Sequence, residues 1–415
     1  MTDAGTPAGP VTRSSVTRVG AATAVSALCG YAVLYLAARD LDPAGFSVFG
    51  VFWGAFGLVT GAAFGLLQQS TREIRLAARH DPTVPAPTEI TRPLRLAAAV
   101  GVTAAVVVAT TAVLWAPHVF VESRRLSVLL LAVGLACFCL HATLLGMLAG
   151  ADRWSQYGAL MVTDAGIRVV IAVATVTLGW GLEGFLWATV GGSLSWLLLL
   201  LASPATRAAA GLVARETPAS FLRGAAHAVA AAGASAVLVM GFPVLLKATS
   251  GDLGAAGGVV ILAVTLTRAP LLVPLTAMQG NLIAHFVDAR THRLRAVAQA
   301  VAVLAVIGAA GITLAALTGP WLLRVGFGEQ YRASGALLAW LTAGAVVIAV
   351  LTVTGAATVA AALHRAYSLG WVCATVAAAA LLLLPLGLET RTVVALVCGP
   401  LVGIAVHLAA LRARG

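Results

Sequence analysis

Arg268 is the charged residue best placed for chemistry, because it stands near the middle of a long apolar stretch. The stretch runs from Val259 to Ile283 and also contains Pro270 and Pro274. A charge at mid-depth in a bilayer is costly unless it faces water or a partner. Prolines interrupt the helical hydrogen-bond ladder, which a membrane helix tolerates where neighbours or water satisfy the freed groups. This one segment therefore departs most from an inert lipid-facing helix.

A guanidinium stays charged and binds phosphate oxygens in bidentate fashion. We therefore predict that Arg268 binds the anionic part of a substrate, such as a phosphate or pyrophosphate, in a hydrated cavity. The alternative is a structural ion pair, or a side chain near the end of its helix that reaches the interface.

Asp164 and Arg168 are a second charged pair within an apolar run. Residues four apart lie on one face of a helix, so these two side chains can pair there. The pair is interpreted either as structural, easing insertion of both charges, or as a couple that lines the substrate cavity. A third interpretation pairs Asp164 with Arg268.

Four amides stand where two apolar runs end, and they are candidates for an inner gate: Gln68, Gln69, Gln279 and Asn281. Polar residues are also common at helix ends without any function. Catalytic residues, metal ligands and cofactors are not expected. The five cysteines lie within apolar runs, and the chain has no Walker A motif, nucleophile elbow or metal-ligand constellation. We therefore predict that the protein is not an enzyme.

The composition is that of a membrane protein. Of 415 residues, 60% are hydrophobic and 10% are charged, against about 25% charged in soluble proteins. The apolar residues fall in runs of about 20, long enough to cross the hydrocarbon as a helix. The sequence predicts an all-α polytopic membrane protein with about twelve spans, near residues 17–38, 44–67, 96–116, 127–149, 158–178, 182–203, 225–247, 256–282, 296–317, 334–360, 368–388 and 392–411.

The net charge of +11 lies mainly in short segments between the apolar runs. It is therefore interpreted as a determinant of topology, and no nucleic-acid partner is expected. Arginines are more frequent in the segments that face inward if the N-terminus is cytoplasmic. This bias predicts both termini in the cytoplasm.

The two halves of the chain share a pattern. Residues 40–45 (DLDPAG) recur as 252–257 (DLGAAG), and the same offset places Arg153 on Arg365. Each half holds an even number of spans, so both insert in the same sense, and such a parallel repeat suits alternating access. We predict two six-helix lobes, residues 1–210 and 211–415.

Two stretches carry a family resemblance. LAARDLDPAGFSVFGVFW (36–53) resembles the loop between the first two helices of the polysaccharide-flippase branch of the multidrug/oligosaccharidyl-lipid/polysaccharide exporter superfamily, with Leu41, Pro43 and Phe46 matching. PWLLRVGFGEQYRASGALLAWL (320–341) is similar to the family stretch between the ninth and tenth helices, and its matches are Gly328, Tyr331 and Ala333.

The resemblance implies a plasma-membrane carrier that moves a lipid-linked oligosaccharide or polysaccharide precursor from the inner to the outer leaflet. Arg268 is similar in placement to a cavity arginine of the eighth helix in relatives that flip a peptidoglycan precursor. Membrane lipids and a polymerase or glycosyltransferase of the same pathway are the partners this implies. Three rivals stay open: a cation-coupled small-molecule exporter, a non-transporting scaffold of an envelope-assembly complex, and an integral-membrane glycosyltransferase.

Overall fold

A computed structural model describes residues 13–78, 90–289 and 292–413. Almost all of them are helical, and within those ranges Thr91 and Ala214 form one isolated β-bridge. A 3₁₀ turn at Gly192–Leu194 joins two of the helices. The helices are α1 (Arg13–Asp40), α2 (Pro43–Ala78), α3 (Pro93–Val119), α4 (Arg124–Gly150), α5 (Trp154–Leu178), α6 (Gly181–Gly191), α7 (Ser195–Ala202), α8 (Pro204–Ala210), α9 (Pro218–Val239), α10 (Phe242–Ser250), α11 (Gly254–Ala277), α12 (Gln279–Asp288), α13 (Arg293–Phe327), α14 (Gly335–Ala360), α15 (His364–Leu382) and α16 (Leu388–Arg412).

Twelve segments among the described residues are long and apolar enough to cross a membrane. They comprise α1 to α5, α6 together with α7, α9, α11, and α13 to α16. Their number and order confirm the prediction of an all-α polytopic protein with about twelve spans.

The seventh span differs from its prediction. An uninterrupted helix was expected near residues 225–247, but α9 ends at Val239 and α10 begins at Phe242. Proline has no N–H to donate and clashes with the carbonyl four residues earlier. Pro243 lies in the first turn of α10, where the missing N–H is tolerated, so a new helix starts there instead of the old one continuing.

The eighth predicted span, 256–282, is also divided. The α11 helix runs through both Pro270 and Pro274 and ends at Ala277. A second, short helix α12 then begins at Gln279, and Gly280, a residue of low helix propensity, stands beside the break. Gln279 and Asn281 therefore lie on α12 and do not close the spanning helix.

The two longest of the described helices, α2 and α13, extend furthest beyond the thickness of a bilayer. At a rise of about 1.5 Å per residue, α2 with 36 residues and α13 with 35 residues exceed the roughly 30 Å of hydrocarbon. The link between the predicted spans 44–67 and 96–116 is thus helical as far as Ala78. Its proline-rich part, residues 79–89, lies outside the described residues.

A turn of the same form occurs in both halves of the chain. Asp152, between α4 and α5, has φ 55°, and Ala362, between α14 and α15, has φ 58°. In each case the next residue donates its N–H to the carbonyl five residues back, at 2.8 and 2.9 Å, the closure of a Schellman turn. Arg153 thus corresponds to Leu363, and the alignment of Arg153 with Arg365 was wrong by two residues.

A buried histidine–hydroxyl bond is a further feature that both halves share. His141 Nδ1 lies 3.0 Å from Ser195 Oγ, and His407 Nδ1 lies 3.0 Å from Thr354 Oγ1. The positions differ by 213 (141 to 354) and 212 (195 to 407) residues. In the first half the histidine is on the fourth span, and in the second it is on the twelfth. The fourth and sixth spans thus correspond to the tenth and twelfth. The histidine is on the first helix of one pair and on the second helix of the other, and the hydroxyl residue takes the remaining position.

Contacts between Cα atoms divide the chain into two compact units. The first contains the described residues of 1–34, 59–114 and 124–233, and the second those of 35–58, 115–123 and 234–415. In the first unit, Phe138, Phe221 and Leu66 belong to one apolar core. In the second, Phe286, Val353 and Leu411 share another. The division into lobes at residue 210 stays a prediction.

In the first unit, α2 and α9 cross at two glycines that differ in the space around them. A Cβ added to Gly65 would lie 2.5 Å from the Cα of Val229, a clash with backbone. A Cβ added to Gly233 would meet the Cβ of Ala62 at 3.4 Å, an ordinary contact. The close approach of the two helices therefore requires glycine at position 65 and leaves room for a methyl group at position 233.

We accordingly expect Gly65→Ala to lower the free energy of unfolding by about 1–3 kcal/mol through overpacking. Gly233→Ala is the matched control, and we expect it to be neutral or to stabilise by up to about 1 kcal/mol through helix propensity. Thermal unfolding of the detergent-solubilised protein measures both changes. Equal effects of the two variants would contradict the predicted role of the close approach.

Candidate functional site

Arg268 lies in the middle of α11 and is 7% exposed. Its neighbours one and two turns earlier on this helix, Val264 and Val260, are also buried. Its Nη1 donates to two main-chain oxygens in the second unit, Leu238 O at 3.3 Å and Val239 O at 3.0 Å. The guanidinium thus binds the C-terminal end of α9.

Pro243 explains why one of these two acceptors, the carbonyl of Val239, is available. In an unbroken helix the carbonyl of Val239 would accept the N–H of residue 243, but that residue is Pro243, which has none. Arg268 Nη1 supplies a donor to that carbonyl. The partial negative charge at a helix C-terminus also favours a cation there.

Apart from the hydrogen bonds of Nη1, the Arg268 guanidinium contacts an aromatic ring and keeps two donor nitrogens unsatisfied among the described residues. The Cζ atom lies 5.1 Å from the centroid of the Phe242 ring, within the range of a cation–π contact. Nε and Nη2 are buried and have no hydrogen-bond partner among the described residues. Nε–H and Nη2–H together form the side-on edge of a guanidinium, which suits bidentate binding of an oxyanion.

Arg168, in the first unit, shows the same arrangement with this edge occupied. Its Nε donates to Asp164 Oδ2 at 3.0 Å and its Nη2 to Asp164 Oδ1 at 3.1 Å. Its Nη1 donates to a main-chain oxygen, that of Thr189, at 2.5 Å. Asp164 and Arg168 are therefore an internal ion pair on α5, as their spacing predicted.

Two arginines in apolar helices thus use Nη1 in the same way, on main-chain oxygens. They differ at the side-on edge, where Arg168 binds a carboxylate of its own helix and Arg268 has no hydrogen-bond partner in the described part of the chain. Leaving a buried charged donor without a partner costs free energy. The edge of Arg268 is therefore suited to an oxyanion with the geometry of the Asp164 carboxylate.

The four candidate gate residues have different surroundings. Gln68 is exposed, whereas Gln69 is buried and its Nε2 donates to Glu73 Oε1 at 3.2 Å and to Glu216 Oε1 at 3.3 Å. Gln279 is half-buried and Asn281 is exposed, both on α12. Gln69 thus holds together carboxylates from α2 and from the segment before α9, and the gate itself stays a prediction.

The two stretches that carry the family resemblance meet in the second unit. Tyr331 is fully buried, and its hydroxyl donates to Leu41 O at 3.4 Å. Its ring packs edge-on against Phe46, with centroids 6.0 Å apart. Burial, with a smaller effect of Asp42, raises the pKa of Tyr331 above its usual value. The matched residues Leu41, Phe46 and Tyr331 therefore form one packing contact.

Sequence reasoning missed Phe242 and Pro243 as neighbours of Arg268. Their signal was the Gly241-Phe242-Pro243 tripeptide inside a predicted span, because glycine followed by proline within an apolar run indicates a break. Within the described residues, no group of three or more His, Cys, Asp or Glu side chains is arranged to hold a metal ion.

Comparison with known proteins finds close relatives in mycobacteria. No family model matches the chain. Rv3630 of Mycobacterium tuberculosis (strain ATCC 25618 / H37Rv) is 67% identical over 407 residues, which cover 98% of this chain and 94% of the relative. Rv1510 of the same strain is 64% identical over 423 residues, which cover 100% of this chain and 96% of the relative. Both are described as uncharacterized proteins.

Solved structures show the fold. The inward-facing conformation of a multidrug resistance MATE family transporter of the MOP superfamily matches with a TM-score of 0.74 at 17% identity, covering 96% of this chain and 98% of that one. An outward-facing conformation of such a transporter matches with a TM-score of 0.61 at 16% identity, covering 96% and 95%. With its twelve apolar helices, the chain is a multi-pass membrane protein that belongs to the same family as the mycobacterial proteins Rv3630 and Rv1510, and it has the fold of the MATE transporters of the MOP superfamily.

Proposed function

We propose that the protein is a transporter that moves a lipid-linked oligosaccharide or polysaccharide precursor from the inner to the outer leaflet of the plasma membrane by alternating access. It catalyses no covalent reaction in this proposal, and both termini are cytoplasmic. A polymerase or glycosyltransferase of the same pathway supplies or consumes the lipid-linked sugar.

The observation that carries the proposal is the side-on edge of Arg268. Two buried N–H groups without partners in the described chain, on a side chain that stays charged, suit a phosphate or pyrophosphate better than any neutral group. Lipid-linked sugars carry such a group between the lipid tail and the headgroup. The tail can stay in the bilayer while the charged headgroup crosses through a polar passage.

The MATE-like fold supports transport as the activity. Its solved neighbours also suggest a second candidate, cation-coupled export of small molecules, because they are multidrug transporters. Coupling to a cation favours a carboxylate that is free to bind it. Asp164, the acidic residue within the fifth span, already has both carboxylate oxygens bonded to Arg168, which supports the lipid-linked substrate over the second candidate.

Purified protein in sealed vesicles tests the choice directly. One set of vesicles contains a fluorescent polyprenyl-pyrophosphoryl disaccharide, and dithionite reports how much of its headgroup reaches the outside. A second set contains ethidium as a cationic drug probe, with a proton or sodium gradient. We expect transfer of the lipid and no gradient-driven movement of ethidium.

The other outcomes contradict the proposal. Movement of ethidium without lipid transfer supports the exporter, and movement of neither supports the non-transporting scaffold. Vesicles without protein provide the baseline for both probes.

A further inference from the structure

One of the two acceptors of Arg268, the carbonyl of Val239, is available because of a single residue on another helix. Pro243 removes the N–H that the carbonyl of Val239 would otherwise accept, and Arg268 Nη1 lies 3.0 Å from that oxygen. The three residues are on α10, α9 and α11, all within the second unit. A proline in the first turn of α10 thus determines a hydrogen bond made by Arg268 of α11.

We propose that Pro243 is a positioning residue for Arg268: by leaving the Val239 carbonyl without a main-chain donor, it recruits Nη1 and presents the Nε–Nη2 edge for an oxyanion. The oxyanion part of this inference rests on the proposed function. The recruitment of Nη1 does not, because it concerns only contacts within the protein.

Three contacts fix the guanidinium in this arrangement. Leu238 O and Val239 O both accept from Nη1, and the Phe242 ring lies next to Cζ. A planar group held at one nitrogen by two acceptors, and flanked by a ring, loses little further freedom when its opposite edge binds a ligand. Preorganisation of this kind favours affinity by lowering the entropy lost on binding.

Replacing the proline changes the competition for Val239 O. In Pro243→Ala the residue regains an N–H, which can close the helical bond to that carbonyl. Arg268 then competes with a local donor and loses its fixed orientation. Pro243 also packs against Gly54 of α2, where its ring atoms lie 3.1 Å from the position of an added Cβ. The single variant therefore loses packing as well, so the coupling between two variants is the informative quantity.

A double-mutant cycle in thermal stability tests the recruitment without any substrate. The full-length protein, P243A, R268M and the double variant are melted in the same detergent. If Arg268 replaces the missing N–H, Arg268→Met is tolerated better in the P243A background, by about 2 °C or more, the size of one hydrogen bond. Additive changes in Tm would overturn the inference, because groups that do not interact give independent effects.

Transfer kinetics test the orientation of the edge. In vesicles with a varied mole fraction of the polyprenyl-pyrophosphoryl disaccharide, we expect Pro243→Ala to raise the half-saturating fraction about fivefold and to leave the maximal rate unchanged. Pro320→Ala, which removes another proline from inside a helix of the second unit, is the matched control and should change neither quantity. A fall in the maximal rate with unchanged half-saturation would contradict positioning.

The two readouts separate the inference from the proposed function. If the wild-type protein transfers no lipid but the stability cycle shows coupling, the recruitment of Arg268 stands and the substrate proposal fails. If transfer is normal and the cycle is additive, the substrate proposal stands and the positioning role of Pro243 fails.

Discussion

Replacing Arg268 with methionine is expected to lower the rate of headgroup transfer about 100-fold. Methionine has a similar length but no charge and no donors, so the Nε–Nη2 edge is lost while the apolar packing of α11 is retained. Hydrogen bonds to charged groups contribute about 1.5–3 kcal/mol each, and about 1.4 kcal/mol corresponds to a tenfold change. Loss of a bidentate pair therefore predicts a change of this size, measured as the initial rate of transfer in vesicles.

Arg268→Lys separates charge from geometry. Lysine keeps the positive charge but presents a single ammonium in place of a planar two-donor edge. We expect it to transfer the lipid about tenfold more slowly than the wild type and faster than the methionine variant. Equal loss in both variants would show that the planar edge matters and that the charge alone does not.

The matched control is Arg324→Met, which also removes an arginine from the second unit. Arg324 is exposed, and its Nε reaches only a main-chain oxygen, Pro320 O, at 3.4 Å. Transfer by this variant should equal that of the wild type. Unchanged transfer by Arg268→Met would remove Arg268 from the proposed mechanism.

The membrane spans could be predicted because each is determined by consecutive residues of the sequence. Twenty consecutive apolar residues must cross the hydrocarbon wherever they occur, and charges four apart on one helix must lie together. The Asp164–Arg168 pair followed from that spacing alone. Neither inference requires knowledge of which helices are neighbours.

The surroundings of Arg268 were not predictable in the same way. Pro243 indicates a break in its own helix, but the donor that satisfies the freed carbonyl comes from 25 positions further along (243 to 268) on another helix. That choice depends on how α9 and α11 pack, which no local pattern encodes. The sequence indicates the break between α9 and α10. It does not indicate that Arg268 donates to the carbonyl that the break leaves free.

The internal repeat shows a second limit. Identical residue types at a constant offset aligned Arg153 with Arg365, whereas the turn geometry aligns Arg153 with Leu363. The histidine–hydroxyl bonds escaped detection because the two residue types are exchanged between helices. A hydrogen bond needs one donor and one acceptor, so it is preserved when the histidine and the hydroxyl residue exchange helices. The residue types at the four corresponding positions then no longer match.

Replacing Asp164 with asparagine is expected to destabilise the protein more than removing both charges of its pair. The two side chains are only 18% and 13% exposed, and an asparagine cannot neutralise the guanidinium of Arg168. Removing one partner of a buried pair costs about 3–5 kcal/mol, whereas replacing both by apolar residues is often neutral or stabilising. Thermal unfolding measures the change in stability of three variants: Asp164→Asn, Arg168→Leu and the double variant Asp164→Leu/Arg168→Leu.

The same variants decide between the two candidate functions. If the pair is structural, the folded double variant transfers the lipid-linked disaccharide at the wild-type rate, because neither side chain touches the substrate. If Asp164 binds a coupling cation, the double variant loses gradient-driven transport although it is stable. A stable Asp164→Asn variant would instead contradict the structural pair, since the two carboxylate oxygens of Asp164 accept both side-on hydrogen bonds of the half-buried Arg168. Arg168 Nε and Nη2 would then need acceptors other than Asp164, in addition to Thr189 O, which accepts from Nη1.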